Sequence, residues 1–217
     1  SQHVALEIAV ADNSDDIVFY AAVPTPFVTL FEKQTLSLFP HAVLSEQLHD
    51  YNIFVDGGES IISELGLKKY PLYPLRTHEA FSSDPLAVLL NAFSKIERDG
   101  GGAAVQFLFR HPKQSYRSTY EEIVKRVKKG MKPGEAIRRS SLAGEMMAGV
   151  GELFFSSAKP KDDTPPEPDQ EALELFAEKQ KGDIFLSFIR ITASARDQHR
   201  ARDVSRAIEA TFGQYPH

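Results

Sequence analysis

The sequence predicts an α+β protein: a ferredoxin-like βαββαβ sandwich with an extra strand at its front, followed by a second, related αβ unit. Three observations lead there. From Asp16 to Arg110 the patterns run strand, helix, strand, extended segment, helix, strand. A further strand-like run, "VALEIAV" (Val4 to Val10), precedes them. Beyond "SSAKPKDDTPPEPDQ" (Ser156 to Gln170), with four prolines and no large apolar residue, a helix-strand-helix pattern returns. The expected organisation is therefore an αβ domain over 1–115, a basic helical segment over 116–155, an acidic Pro-rich linker or loop over 156–170, and a helix-strand-helix over 171–217 that completes the second unit.

The elements follow in order. "VALEIAV" and "DIVFYAAV" (Asp16 to Val23) are joined by Ala11-Asp12-Asn13-Ser14-Asp15, whose short polar side chains suit a turn, so a hairpin is expected. Thr25-Pro26 offers an N-cap and first-turn proline to a helix with Phe27, Leu30, Phe31 and Leu38 at helical spacing, ended by Phe39-Pro40. A strand is expected over Ala42 to Leu48. Extended segments should surround Gly57-Gly58, and Pro71 and Pro74 push "YPLYPL" toward polyproline or edge-strand geometry. Asp84 with Pro85 starts a helix whose stripe is Leu86, Leu89, Leu90, Phe93 and Ile96, and Gly100-Gly101-Gly102 stops it. In "AAVQFLFR", Val105, Phe107 and Phe109 fall on one face, Gln106, Leu108 and Arg110 on the other.

Ser118-Thr119-Tyr120-Glu121 reads as a capping box opening a helix with Tyr120, Ile123, Val124 and Val127 inward. A small-residue helix is expected from Gly134 to about Phe155. After the linker, a helix (Glu171 to about Lys179) leads to "DIFLSFIRITA", apolar on both faces and so central in its sheet, then to a helix from about Ala195 to Phe212. Because Phe107 and Phe188 could lie on neighbouring strands, the two halves sharing one sheet is the alternative.

A chain with 42% hydrophobic and 25% charged residues has the composition of a protein with a packed core. No run of about 18 apolar residues occurs, so no segment of it is expected to span a bilayer. Without cysteine there is no disulfide, thiolate metal site or cysteine nucleophile. The chain opens on Ser1-Gln2-His3 and stops just after a helical pattern, as a piece of a longer protein would.

Reactive constellations are not found. Gly-Lys occurs nowhere, which removes the P-loop, and the glycine runs at 57–58 and 100–102 lack the strand-GxGxxG-helix setting of a dinucleotide site. The seven histidines form no HxH or HExxH pair. Acid pairs such as Asp15-Asp16, Glu121-Glu122 and Asp162-Asp163 sit in a turn, a first helical turn and a linker, not across a cleft. No Gly-x-Ser-x-Gly elbow is present. No catalytic, cofactor-binding or metal-ligating residue is expected.

Charge is the uneven feature. Between Arg110 and Arg139 ten Lys/Arg stand against three Glu, a local net of +7, so the rest of the chain carries −12 to reach the overall −5. Lys125, Arg126, Lys128, Lys129, Lys132, Arg138 and Arg139 form a candidate patch for a polyanion or partner, that is nucleic acid, an acidic protein or the anionic inner membrane surface. The bland alternative is a solvated helix face whose cations complement the helix dipole.

The succession "YPLYPLRTHEAF", "DPLAVLLNAFSKI", a Gly-rich turn, "AAVQFLFR", a long charged helical insert, then "GDIFLSFIRITAS" and "RAIEATFGQY" resembles the N-terminal region of bacterial type IV secretion or conjugation ATPases, in particular the FtsK/HerA-like group of candidate-phylum bacteria. It runs from about Leu6 to Tyr215. The resemblance implies a non-catalytic region, with membrane helices commonly before it and a P-loop motor after it. It also implies a cytoplasmic position at the inner face of the membrane, an oligomeric full-length protein, and contacts with the adjacent motor domain and other secretion components. The motifs that match are structural, so no catalytic residue carries over. A nucleic-acid-binding module using the basic helix at 117–139 is the rival expectation.

Overall fold

Strand β1 (His3–Val10) turns back onto β2 (Ile17–Ala22) through the expected polar loop. Asn13 takes the left-handed conformation there (φ 64°), which its short polar side chain tolerates. The Ser14 amide donates to the Ala11 carbonyl (3.2 Å) and the Asp16 amide to the Ser14 hydroxyl (3.1 Å). The computed structural model describes residues 3–47, 50–67, 73–75, 81, 84–96, 100–112, 116–140 and 168–214. They fall into two compact units, one of Ser1–Leu65, Phe81–His111 and Leu186–Gln214, the other of Gly66–Ala80, Pro112–Phe185 and Tyr215–His217.

The first unit is built on a five-stranded sheet, with neighbours antiparallel throughout, in the order β2-β1-β4-β5-β3. Its other strands are β3 (Glu59–Leu65), β4 (Gly101–Arg110) and β5 (Leu186–Ala195). Helix α1 (Val28–Leu38) follows a 3-10 turn at Thr25–Phe27 that has its proline in place but no side-chain cap, and α1 buries none of its residues. Helix α2 (Pro85–Phe93) starts as expected: the Asp84 carboxylate accepts from the Leu86 amide at 2.9 Å and Pro85 opens the first turn.

One face of the sheet carries the core. Ile8 and Val10 of β1, Ala103 and Val105 of β4, and Ile191 and Ala193 of β5 meet Leu89 and Phe93 of α2. Ile208 comes from the long C-terminal helix of the unit, Gln198–Thr211, α6 below. Asp197 caps that helix by accepting from the Arg200 amide (2.9 Å), and Glu209 ties it to β3, accepting from Ser63 Oγ (2.5 Å) and Ser205 Oγ (2.9 Å).

Three expectations change here. Residues 42–47 form no strand, and Leu48 lies outside the described residues; the sheet takes Glu59–Leu65 instead. Residues 186–214 belong to the first unit and not to a second αβ unit, since β5 lies between β4 and β3 with Leu108 opposite Phe188 and Phe107 opposite Ile189. β5 is central as expected but not apolar on both faces: Ile189, Ile191 and Ala193 join the core face carried by β1 and β4, which draws the strand in beside β4, while Arg190, Thr192 and Ser194 lie on the other face. The glycine run does less stopping than expected: Gly100 makes the turn (φ 86°), while Gly101 and Gly102 already belong to β4.

The second unit is helical among the described residues: α3 (Arg117–Lys128), α4 (Pro133–Arg138) and α5 (Gln170–Lys179), with α6 assigned to the first unit as above. Tyr120, Ile123 and Val127 of α3, Ala136 and Ile137 of α4, and Ala172 and Phe176 of α5 are buried, and Tyr73 tilts its ring against Phe176 at 5.0 Å. The capping box does not form. The helix begins at Arg117 with the buried Tyr116 at its N-cap, which puts Ser118 inside the first turn. Asp169 caps α5 by accepting from the Ala172 amide (2.9 Å), and the rest of the expected linker, with the expected helix beyond Ser140 up to 155, lies outside the described residues.

Burial, with a smaller push from Tyr116, raises the Tyr120 hydroxyl from 10 to about 12. The unfolded chain therefore loses this proton before the folded one does, so stability is intact below pH 10 and falls as pH rises through the window from 10 to 12. Thermal unfolding measured between pH 9 and 12 should show a steep alkaline loss that is shallower in Tyr120→Phe, by up to about 2–3 kcal/mol at the top of the window.

Candidate functional site

The basic segment closes on itself as a helix hairpin. Helix α3 ends in a Schellman turn, in which the Met131 amide donates to the Arg126 carbonyl (3.2 Å) and the Gly130 amide to the Val127 carbonyl (2.9 Å). Gly130 sits at φ 87°, where a side chain would be strained, and Pro133 then opens α4. The sequence signal for this turn was available: cations in the last helical turn, a glycine directly after, a proline shortly beyond.

The hairpin sorts the seven candidate residues into two groups. Arg126 is half-buried and structural: it pairs with Glu122 (2.8 Å) and reaches the Ala136 carbonyl of α4 (3.4 Å). Arg139 pairs with Glu135 at 2.6 Å. Lys125, Lys128, Lys129, Lys132 and Arg138 are exposed, and none makes an ion pair among the described residues. The patch thus shrinks to five cations over the end of α3, the turn and α4. Their positive charge meets the negative end of the α3 dipole, which suits a bound anion less well than a helix N-terminus would. Attraction to a polyanion must come from the side chains alone.

A second surface escaped the sequence reading. On the sheet face away from α2 and α6, one row across the strands places Tyr20, Glu7, Gln106, Arg190 and Glu64 in register. Arg190 Nη2 donates to Gln106 Oε1 at 2.5 Å, Gln106 Nε2 donates to Glu7, and the Tyr51 hydroxyl donates to the other Glu7 oxygen. Tyr51 stacks on Tyr20 with ring centroids 4.2 Å apart. Burial first, and then the Glu7 hydrogen bond, push the Tyr51 hydroxyl far above its ordinary range, so it stays a donor. Gln106 thus links the Arg190 guanidinium to the Glu7 carboxylate, and these side chains are engaged with one another.

Tyr51 arrives on a strap, residues 50–55, laid over this face. Its Ile53 is buried against Ala9 and Ala104, its Val55 amide donates to Ser194 Oγ (3.1 Å), and its Asn52 carbonyl accepts from the Asp12 amide (3.0 Å). Gly102 makes the approach possible, since a Cβ there would lie 2.2 Å from the Ile53 carbonyl oxygen. The signal for the polar row was Glu7 in β1, Gln106 in β4 and Arg190 in β5, long polar side chains in mid-strand that become a row once register is known. Among the described residues, no group of three or more His, Asp or Glu could hold a metal ion, and no helix is long and apolar enough to cross a membrane.

With fold and surfaces defined, comparison with known proteins places the sequence. A family model covers residues 1–216. The chain belongs to the DUF8128 family, described as a domain of unknown function. No curated protein and no solved structure matches it.

Proposed function

We propose that this region is a non-catalytic assembly and interaction domain of a membrane-associated type IV secretion or conjugation motor, with the ATP-hydrolysing domain outside residues 1–217. The exposed apolar surface at the end of α1 and beyond it carries this reading: Leu38 and Phe39 are 73% and 64% accessible, Val43 93% and Leu44 41%. A run of apolar side chains in water is the mark of a surface kept for a partner. Supporting it, the polar groups that might have served chemistry have structural work: Asp84, Asp169 and Asp197 cap helices, and Glu7 and Glu209 hold hydroxyl or amide donors. The ferredoxin-like kinship belongs to the same proposal. An antiparallel sheet, in the order β2-β1-β4-β5-β3, with two helices on one face supports it. So does a cytoplasmic position at the inner membrane face, which the exposed cations of the hairpin favour. The test is ATP turnover by the purified chain: none is expected, and turnover that survives stringent purification would sink the proposal.

A second reading, nucleic-acid binding, is favoured by the five exposed cations Lys125, Lys128, Lys129, Lys132 and Arg138. If each meets one phosphate, the logarithm of affinity should fall against the logarithm of salt with a slope of roughly −4. Lys128→Glu with Lys129→Glu should abolish a low-salt DNA mobility shift while leaving the helix content by circular dichroism intact. A chain that shifts neither single- nor double-stranded DNA at low salt ends this reading.

A further inference from the structure

We propose that β2 is an open docking edge that pairs with β2 of a second copy of this chain, joining two sheets into one continuous antiparallel sheet. Among the described residues β2 is the outermost strand, bonded to β1 alone, so one row of its backbone N–H and C=O groups points away from the sheet. Edges of this kind are ordinarily blunted by charge, proline, a bulge or a covering element. Ile17–Ala22 has no charge and no proline, its register with β1 runs unbroken from Ile17 to Ala22, and α1 buries none of its own residues. The opposite edge, β3, carries Glu59 and Glu64. The contrast singles out β2 as the edge left ready to pair.

The strand is complementary to itself. Residues opposite each other in an antiparallel pair share a face, so a two-fold axis at Phe19 sets Phe19 against Phe19, Val18 against Tyr20 and Ile17 against Ala21. Asp16 then faces Ala22 and Asp15 faces Val23, so no like charges meet. Phe19 lies opposite Ile8, and that row continues inward through Val105 and Ile191, all three buried in the core, yet Phe19 itself is 58% accessible. The apolar row stops unfinished at the sheet edge, and the Phe19 of a second copy would complete it. Six residues of edge fall short of the roughly 1,000 Å² a specific interface needs. The remainder must come from apolar surface joined to β2 in the chain, where Phe27 and Leu30 are 44% and 56% accessible. This goes beyond the assembly reading, which concerns a different partner and rests on residues 38–44.

Sedimentation should give twice the chain mass of 24.2 kDa at micromolar concentration. Phe19→Lys, which sets two cations face to face, should weaken the dimer by at least about tenfold, and Glu64→Lys on the other edge should leave it unchanged. Because the sequence has no cysteine, Phe19→Cys gives a reading that needs no loss of stability: cross-strand Cβ atoms about 5 Å apart should link as an intermolecular disulfide under mild oxidation, whereas Ile62→Cys on β3 should not. A monomer that fails to cross-link through Phe19→Cys overturns the proposal, as does a dimer indifferent to Phe19→Lys. Either outcome leaves the assembly reading standing, because ATP turnover and motor binding are measured separately.

Discussion

Replacing Phe93 by alanine should destabilise the first unit by about 3–5 kcal/mol, lowering its melting temperature by roughly 10 °C. Phe93 is 1% accessible and lies on α2 where that helix meets the core face of the sheet, among Val105, Ile191 and Ile208. Truncation removes the aromatic transfer term and leaves a cavity whose walls are three strands and a long helix, none able to collapse freely. Leu86 on the same helix is 42% accessible, and Leu86→Ala should cost under about 1 kcal/mol. Equal effects at both positions, read by thermal or denaturant unfolding, would mean that α2 does not close the core.

Gly102→Ala should cost about 2–3 kcal/mol although it adds one methyl group. The new Cβ would lie 2.2 Å from the Ile53 carbonyl oxygen and 2.9 Å from the Ile53 carbonyl carbon, both backbone atoms that no rotamer change can move aside. The strap must lift, and with it go the burial of Ile53, the Tyr51 bond to Glu7 and the Tyr20–Tyr51 stack. Loss of the stack should change the near-ultraviolet circular dichroism of the tyrosines. Gly182 has nothing within 4 Å of its added Cβ, so Gly182→Ala is the control and should be close to neutral. A neutral Gly102→Ala would mean that the strap does not lie where Ile53 places it.

Local chemistry made part of the fold legible in the sequence. Asp84-Pro85 announces α2 because a cap and a fixed φ act within one turn. The Val105-Phe107-Phe109 alternation announces β4, and the alternating Ile189, Ile191 and Ala193 announce β5. Pairing over long separation was not legible. That β5 sits between β4 and β3 depends on two edges meeting, and the sequence of either strand is equally content with another neighbour. Residues 42–47 fall short for a related reason: Val43 and Leu44 have strand propensity, but propensity alone does not choose a pairing partner, and both side chains stay exposed. At the hairpin, composition showed the cations but not their division. Arg126 and Arg139 are held by Glu122 and Glu135 one turn away, and the exposed five became clear once α3 and α4 were oriented around Gly130.

The proposed partner role rests on Leu38, Phe39, Val43 and Leu44, exposed at the end of α1 and beyond it. The most direct measurement is calorimetric titration of the 217-residue chain with the ATP-hydrolysing domain that the proposal requires, using wild type and Phe39→Asp/Val43→Asp. Saturable binding that the double variant weakens by about tenfold or more is the predicted result. Binding that ignores the substitutions, or no binding at all, would contradict it.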